Sequence, residues 1–242
     1  MTMLLLNKGF SNEQLTAATT ADLRNIGTPV WKRLLSHCRA TDLRLYHITM
    51  SSLEGIEALV ETERLALEWA TKVERLEPVF QMANLRSLSV FDFPKVREIE
   101  GVQRLNGLTE LHLSGSRASL SSTMCLTSIR PVPQIANLES FSLVNARLDD
   151  DDITPLAECS KLRRLQLSYS FDRKQLAFLA KHLNGQLDSP LRSHVLSSLD
   201  CPTCKGKKLM FIGRGMPMLC QTCDAKRCVK AEREFEAMVR EA

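Results

Sequence analysis

One six-residue phrase recurs through the middle of this chain: apolar, two variable, apolar, one variable, apolar. Its clearest copies are Leu85-Arg-Ser-Leu88-Ser-Val90, Leu108-Thr-Glu-Leu111-His-Leu113, Leu138-Glu-Ser-Phe141-Ser-Leu143 and Leu162-Arg-Arg-Leu165-Gln-Leu167. Two weaker copies precede them, Ala40-Thr-Asp-Leu43-Arg-Leu45 and Thr62-Glu-Arg-Leu65-Ala-Leu67. The copies start at residues 40, 62, 85, 108, 138 and 162, so the intervals are 22, 23, 23, 30 and 24 residues. A short strand and its return segment cannot each bury an apolar side alone. Stacking successive copies puts those sides into one continuous core, so the spacing predicts a solenoid. The return segments agree with one another. Leu53-Glu-Gly-Ile56, Leu76-Glu-Pro-Val79, Ile99-Glu-Gly-Val102, Ile129-Arg-Pro-Val132 and Ile153-Thr-Pro-Leu156 each place an apolar pair three apart, as one helical or 3₁₀ turn requires.

The run Ile153-Thr-Pro-Leu-Ala-Glu-Cys-Ser-Lys-Leu-Arg-Arg-Leu-Gln-Leu167 resembles the short repeats of bacterial leucine-rich repeat proteins of the internalin type. The resemblance covers residues 40–186, about 60% of the 242 residues. It implies an α/β solenoid of about six repeats whose parallel strands form a concave, partner-binding sheet. Among its relatives are small cytosolic immunity proteins, which makes an immunity or adaptor role an expectation of the resemblance alone. One departure stands out. The asparagine that such families place three residues after the last strand leucine is replaced here by Phe93, Ser116, Ala146 and Ser170. A less regular solenoid is expected for that reason.

Residues 1–39 precede the phrase and are expected to form a helical cap, with Trp31, Leu34 and Leu35 covering the first open end of the core. The solenoid is expected over 40–195 and a separate module over 196–242. Within the strands, residues between the leucines point to the opposite face. That face offers Tyr46, His47, Glu68, Trp69, Phe91, Asp92, His112, Asn145 and Tyr169 as candidate partner contacts. Three of the four Trp and Tyr residues fall at strand ends. Large aromatics bury much area at small entropic loss and so make good anchors; the alternative is that they pack on one another. His47 and His112 read as polar surface rather than metal ligands. The fourth repeat carries an insertion within Ser114–Ser128, either a binding loop or a tolerated surface loop. Asp149–Asp152 lacks the alternating ligand spacing of a calcium loop and reads as a turn in which Asp152 caps the next segment. A further helix is expected from Asp172 to Leu183, and Leu191–Leu199 reads as a mixed segment covering the last repeat.

Cys201-Pro-Thr-Cys204, fifteen residues, then Cys220-Gln-Thr-Cys223 has the spacing of a four-thiolate zinc site. It resembles a zinc ribbon, with strands at Leu209–Ile212 and Met216–Leu219 and an amphipathic helix after it. Structural Zn²⁺ is the expected cofactor, and rubredoxin-like iron has the same ligands. Residues 201–242 hold nine Lys or Arg and five Asp or Glu, a surplus of four that equals the +4 of the whole chain. Nucleic-acid binding through 205–230 is therefore the second reading of function, and dimerisation through Phe235 and Met238 a third. No apolar run approaches the ~20 residues of a membrane span. Met1–Leu6 lacks the basic start and cleavage site of a signal peptide. A cytoplasmic, reducing location is expected, which favours metal over disulfides for the paired cysteines. No P-loop, nucleophile elbow, His-Glu-x-x-His or Gly-x-Gly-x-x-Gly occurs, so a non-enzymatic scaffold is the leading expectation.

Overall fold

Identical phrases at nearly equal spacing favour identical strands in register, and this is the arrangement found. The computed structural model describes residues 10–116 and 123–242. The apolar start at Met1–Leu6 and residues 117–122 of the insertion lie outside them. After α1 (Asn12–Ala17), β1 (Thr20–Ile26) and α2 (Thr28–His37) come β2 (Asp42–Ile48), β3 (Arg64–Glu68), β4 (Ser87–Phe91) and β5 (Glu110–Ser114). Next are β6 (Met124–Leu126), β7 (Ser140–Val144), β8 (Ala146–Leu148) and β9 (Arg164–Leu167). Strands β1, β2, β3, β4, β5, β7 and β9 form one parallel sheet in chain order. Leu43, Leu65, Leu88, Leu111, Phe141 and Leu165 lie side by side across it, and Leu45, Leu67, Val90, Leu113, Leu143 and Leu167 form a second apolar row. Both rows face inward onto the 3₁₀ turns Ile56–Ala58, Val79–Gln81, Val102–Arg104, Val132–Gln134 and Thr154–Glu158. Gly55 and Gly101 enter two of these turns with φ of 89° and 98°, which only glycine adopts without strain. Strands β6 and β8 form a separate two-stranded parallel sheet next to the insertion.

The sheet begins one turn earlier than the repeat phrase indicates. Strand β1 pairs in register with β2, and its phrase, Ala18-Thr-Thr-Ala21-Asp-Leu23, has alanine where later copies have leucine. Helix α2 is the return between β1 and β2 and packs on the 3₁₀ turn Ile56–Ala58. Pro29 lies in its first turn, Trp31 and Leu34 are buried, and the Trp31 indole donates to Glu54 O at 2.9 Å. The missing asparagine ladder has a substitute on the other side of the strands. Asn84 Nδ2 donates to Val60 O at 2.7 Å, Asn137 Nδ2 to Asn106 O at 2.9 Å, and the buried Thr62 Oγ1 to Ala40 O at 2.9 Å. Each bond ties one turn to the turn before it, so regularity survives. The Asp149–Asp152 turn behaves as a cap, since Asp152 Oδ1 accepts from Thr154 N at 2.9 Å.

Helix α3 (Arg173–Leu183) closes the other end of the stack. Asp172 caps it, accepting from Lys174 N at 2.8 Å and Gln175 N at 3.2 Å. Strands β10 (His194–Asp200), β11 (Lys207–Phe211) and β12 (Met218–Cys220) follow as an antiparallel sheet, then α4 (Ala225–Glu241). Residues 194–200, read from sequence as part of a mixed segment, are thus a strand of the last module. That module docks on the solenoid rather than hanging free. Phe235 of α4 and Ile212 join the solenoid core, while Leu209, Phe211, Leu219, Cys228 and Ala231 form a small core of their own. Arg214, in the turn after β11, reaches back to Phe171 O, Ser170 O and Asp151 at 2.9, 3.1 and 2.6 Å. Arg173 is 8% exposed and sits in the joint; its guanidinium donates to Ala231 O at 2.6 Å and lies over the Phe235 ring. Gly213 (φ 111°) is required beside it, because a Cβ there would come within 2.7 Å of Arg173 Cβ.

Candidate functional site

The concave face is built from the strand residues that alternate with the two leucine rows. At the β1–β3 end they form one connected cluster. Arg44 grips Glu68 with two nitrogens at 2.8 and 2.6 Å and also reaches Asp22 at 2.9 Å. Arg24 holds the same Asp22 at 3.1 Å. Burial alone would raise the Asp22 carboxyl, but its bonds to Arg24 and Arg44 hold it lowered; the Glu68 bond raises Arg44. The two guanidinium groups lie 5.5 and 5.6 Å from the centre of the Tyr46 ring. Trp69 meets Tyr46 edge-on at 5.6 Å and His47 at 4.7 Å, and His47 Nδ1 lies 2.5 Å from Asn25 Oδ1. The aromatics therefore do pack on one another, yet Trp69 remains 41% exposed. Arg24 and Asp22 were outside the sequence-level candidates because β1 was hidden in a region read as a cap.

A second regularity runs along the strand ends. Asn25, His47, Trp69, Asp92 and Asn145 all have φ between 48° and 59°. They hold the same place in successive strands, as do Gly115 and Tyr169. Non-glycine residues are uncommon in this left-handed region, so five in one row mark a bend built into the rim. Asn145 Nδ2 donates to Ser116 O, which pins the rim where the insertion begins.

Charges on this face neutralise one another. Arg64 pairs with Asp42 at 3.1 Å and Arg164 with Glu110 at 2.7 Å, and Glu110 also accepts from Ser87 Oγ at 3.0 Å. Among the described residues, Asp92 is the concave-face carboxylate left without a partner. It is 6% exposed, its Oδ1 is covered, and burial pushes its carboxyl up. His112, on β5, is pushed down by burial, with Glu110 opposing the shift and Arg164 adding to it. Phe91 is half-buried on β4, one strand from Trp69. Tyr169 stands apart, four strands or ~19 Å from Trp69. It is 40% exposed and lines an apolar hollow of about 220 Å³ with Leu167, Pro190, Leu191 and Val195, between the last repeat and β10.

The four paired cysteines converge. Cys201, Cys204, Cys220 and Cys223 place their Sγ atoms within 4.8 Å of one another, with Cys201–Cys223 at 3.9 Å and Cys204–Cys220 at 3.4 Å. A tetrahedral ion with metal–sulfur bonds of about 2.3 Å needs sulfurs roughly 3.8 Å apart, so the cluster fits one. Both knuckles direct backbone donors at sulfur: Gly206 N to Cys204 Sγ at 3.4 Å and Cys223 N to Cys220 Sγ at 3.3 Å. Gly206 allows the tight turn, since a Cβ there would lie 3.2 Å from Cys204 Sγ. Backbone N–H groups of Cys204 and Thr203 lower Cys201 to about 6, while the neighbouring thiols of Cys204 and Cys220 raise Cys223 to about 12. Four thiolates this close repel one another, so this is a donor set that a cation would hold together. Cys228 lies behind the cluster in the module's apolar core, its thiol directed to Cys220 O.

The basic tail is partly committed to internal pairs. Lys207, Arg214, Arg227 and Lys230 bond Asp200, Asp151, Asp224 and Glu234. Among the described residues no helix is long and apolar enough to cross a membrane.

No protein-family model matches the chain, and no curated protein matches it. Solved structures similar to it include an internalin of Listeria monocytogenes, at 20% identity over 69% of this chain and 52% of that one, with a TM-score of 0.46. Internalin C2 of the same organism gives 18%, 72%, 74% and 0.47, and a leucine-rich repeat protein of Leptospira interrogans 17%, 68%, 39% and 0.48. The chain thus spans about half the length of the first of these. By its own strand register and turn spacing, the chain folds as a leucine-rich repeat solenoid closed by a four-cysteine module.

Proposed function

We propose that this chain is a non-enzymatic scaffold that holds a protein partner on its concave sheet. The observation that carries the reading is Trp69: a large aromatic left 41% exposed at the centre of a preorganised cluster with Tyr46, His47 and the Arg44–Glu68 pair. Rigid aromatics backed by fixed charge are the anchors that carry most binding energy at protein interfaces. Tyr169, beside its apolar hollow, forms a second anchor at the far end, and Phe91, Asp92, His112 and Asn145 lie between the two. The four cysteines hold structural Zn²⁺, because a closed thiolate set leaves no open position for chemistry. A four-thiolate metal site suits a reducing compartment such as the cytoplasm, where an immunity or adaptor role fits the resemblance.

The test is affinity capture from lysate, with and without nuclease, using wild type beside Tyr46→Ala/Trp69→Ala/Tyr169→Ala. A protein retained by wild type is expected to be lost by the triple variant, with single Trp69→Ala weakening it at least tenfold (about 1.4 kcal/mol or more). A partner bound equally by both proteins overturns the reading. Nucleic acid bound equally by both moves function to the basic tail.

A further inference from the structure

The leucine rows are sealed at every strand but the last. In the first row Leu43, Leu65, Leu88, Leu111 and Phe141 are buried, whereas Leu165 of β9 is half-buried. In the second row Leu167 is the most exposed member, at 8%. The cause is the way the chain leaves the stack. Asp188 N donates to Arg163 O at 2.9 Å, and beyond that bond residues 189–195 make no backbone bond to β9 but supply the far wall of the hollow of about 220 Å³. The hollow therefore lies where an eighth strand would put its own apolar side chains, beside Leu165 and Leu167 and next to Leu176 of α3. The edge of β9 is open there. Arg164 N and Ser168 N donate to Glu139 O and Leu143 O at 2.9 and 3.0 Å, on the β7 side. Backbone groups alternate in direction along a parallel ladder, so those of Leu165 and Leu167 turn away from β7, and among the described residues none of them has a partner. An unpaired edge is a template for another strand. Its mouth is accessible: Tyr169 is 40% and Val195 36% exposed. Charge there is one-sided. The lining holds Arg192 and His194 and no carboxylate. His194 faces Glu232 at 3.5 Å, while exposed Arg192 has no ion pair among the described residues.

We propose that the open edge of β9 takes an extended segment of the protein partner as an eighth strand, with a leucine-sized side chain in the hollow and an acidic side chain on Arg192. This deepens, and rests on, the reading of the sheet as a partner-binding surface. Pairing with a sheet edge draws affinity from the backbone and specificity from pockets that take alternate side chains. An apolar cavity of about 150 Å³ holds a benzene-sized group, so this hollow has room for one leucine or phenylalanine side chain and none for a helix. The guest side chain also covers Leu165 and so completes the burial of its row.

The probe is the peptide acetyl-Glu-Leu-Thr-Leu-Glu-amide, which repeats the apolar-variable-apolar end of the strand phrase between acidic flanks. It is titrated at millimolar concentration and low salt against the full chain, and followed by the ring signals of the two tyrosines in NMR. Tyr46, at the opposite end of the sheet, serves as an internal control. Expected is a saturable shift of the Tyr169 signals alone. It is lost when serine replaces both leucines of the peptide, or when the nitrogens of its Leu-Thr-Leu core are methylated and cannot donate. Arg192→Glu weakens it about threefold or more, the scale of a reversed surface ion pair, and Val195→Asp, on the exposed wall of the hollow, abolishes it. No Tyr169 response, an equal response to either altered peptide, or an unchanged response in Arg192→Glu or Val195→Asp overturns the proposal. So does light scattering that gives a dimer broken by Val195→Asp, since the occupant is then a second copy of this chain. The two readings fail separately. A partner weakened by Trp69→Ala but bound normally by Val195→Asp removes the eighth strand and leaves the concave interface standing.

Discussion

Asp92 places a carboxylate where the folded chain favours the protonated form, and its sign on stability follows. Burial raises its folded pKa above the unfolded value of ~3.9. Below that value both states hold the proton and the residue is neutral toward stability. As pH rises through the raised folded value, the folded state binds more protons than the unfolded one, and stability is lost. Asp92→Asn is therefore expected to raise Tm at pH 7, with the gap closing near pH 3; differential scanning calorimetry across that range reads it. An equal gap at both pH values would mean that the charge is not what destabilises the site. Position 92 could be placed on the rim from the phrase alone. Its isolation could not, because that depends on Arg44 choosing Glu68 and Arg164 choosing Glu110 across strands up to two steps apart. Arg173 was illegible for the same reason, since a basic residue opening a helix reads as solvent-facing until another module covers it.

At the scale of elements, the leucine rows carry the core. Leu111 is buried at the centre of the sheet, with neighbours Leu88 and Phe141. Leu111→Ala is expected to lower unfolding free energy by about 2–5 kcal/mol, as large-to-small core changes do, while half-buried Asn137→Ala removes a turn tie worth about 1 kcal/mol. Urea denaturation of both variants gives the ranking, and a larger effect at Asn137 would contradict it. Elements with full phrases were legible. Strand β1 was not, because Ala21 stands where leucine announces the others, and its pairing with β2 supplies the burial that its own sequence only hints at. Strand β10 was hidden for a different reason: Val195, Leu196 and Leu199 are largely exposed on an edge, so no alternation of burial writes itself into the sequence. The cysteine knuckles were legible at once, since the spacing itself is the geometry of the site.

In the whole molecule the four-cysteine module and the repeat stack share a boundary. Phe235 enters the solenoid core from α4, and Arg214 clasps the Asp151 turn from the β11 side. Metal binding to a site absent from the unfolded chain contributes to folding, and through this docking a metal on the four cysteines is expected to stabilise the last repeat as well. Elemental analysis is expected to find one zinc per chain. Chelation should lower Tm and speed amide exchange in α3 and β9, leaving β2–β4 close to their original rates. Uniform loss of protection would mean that the stack unfolds as one unit, and no change would detach the metal from stability. The left-handed rim has a further consequence, for descent. Four successive turns keep Asn25, His47, Trp69 and Asp92, and a later one Asn145, at positive φ, where glycine would relieve the backbone. In a lineage whose partner had disappeared, these positions should be the first to drift toward glycine, while the leucine rows beside them stay fixed.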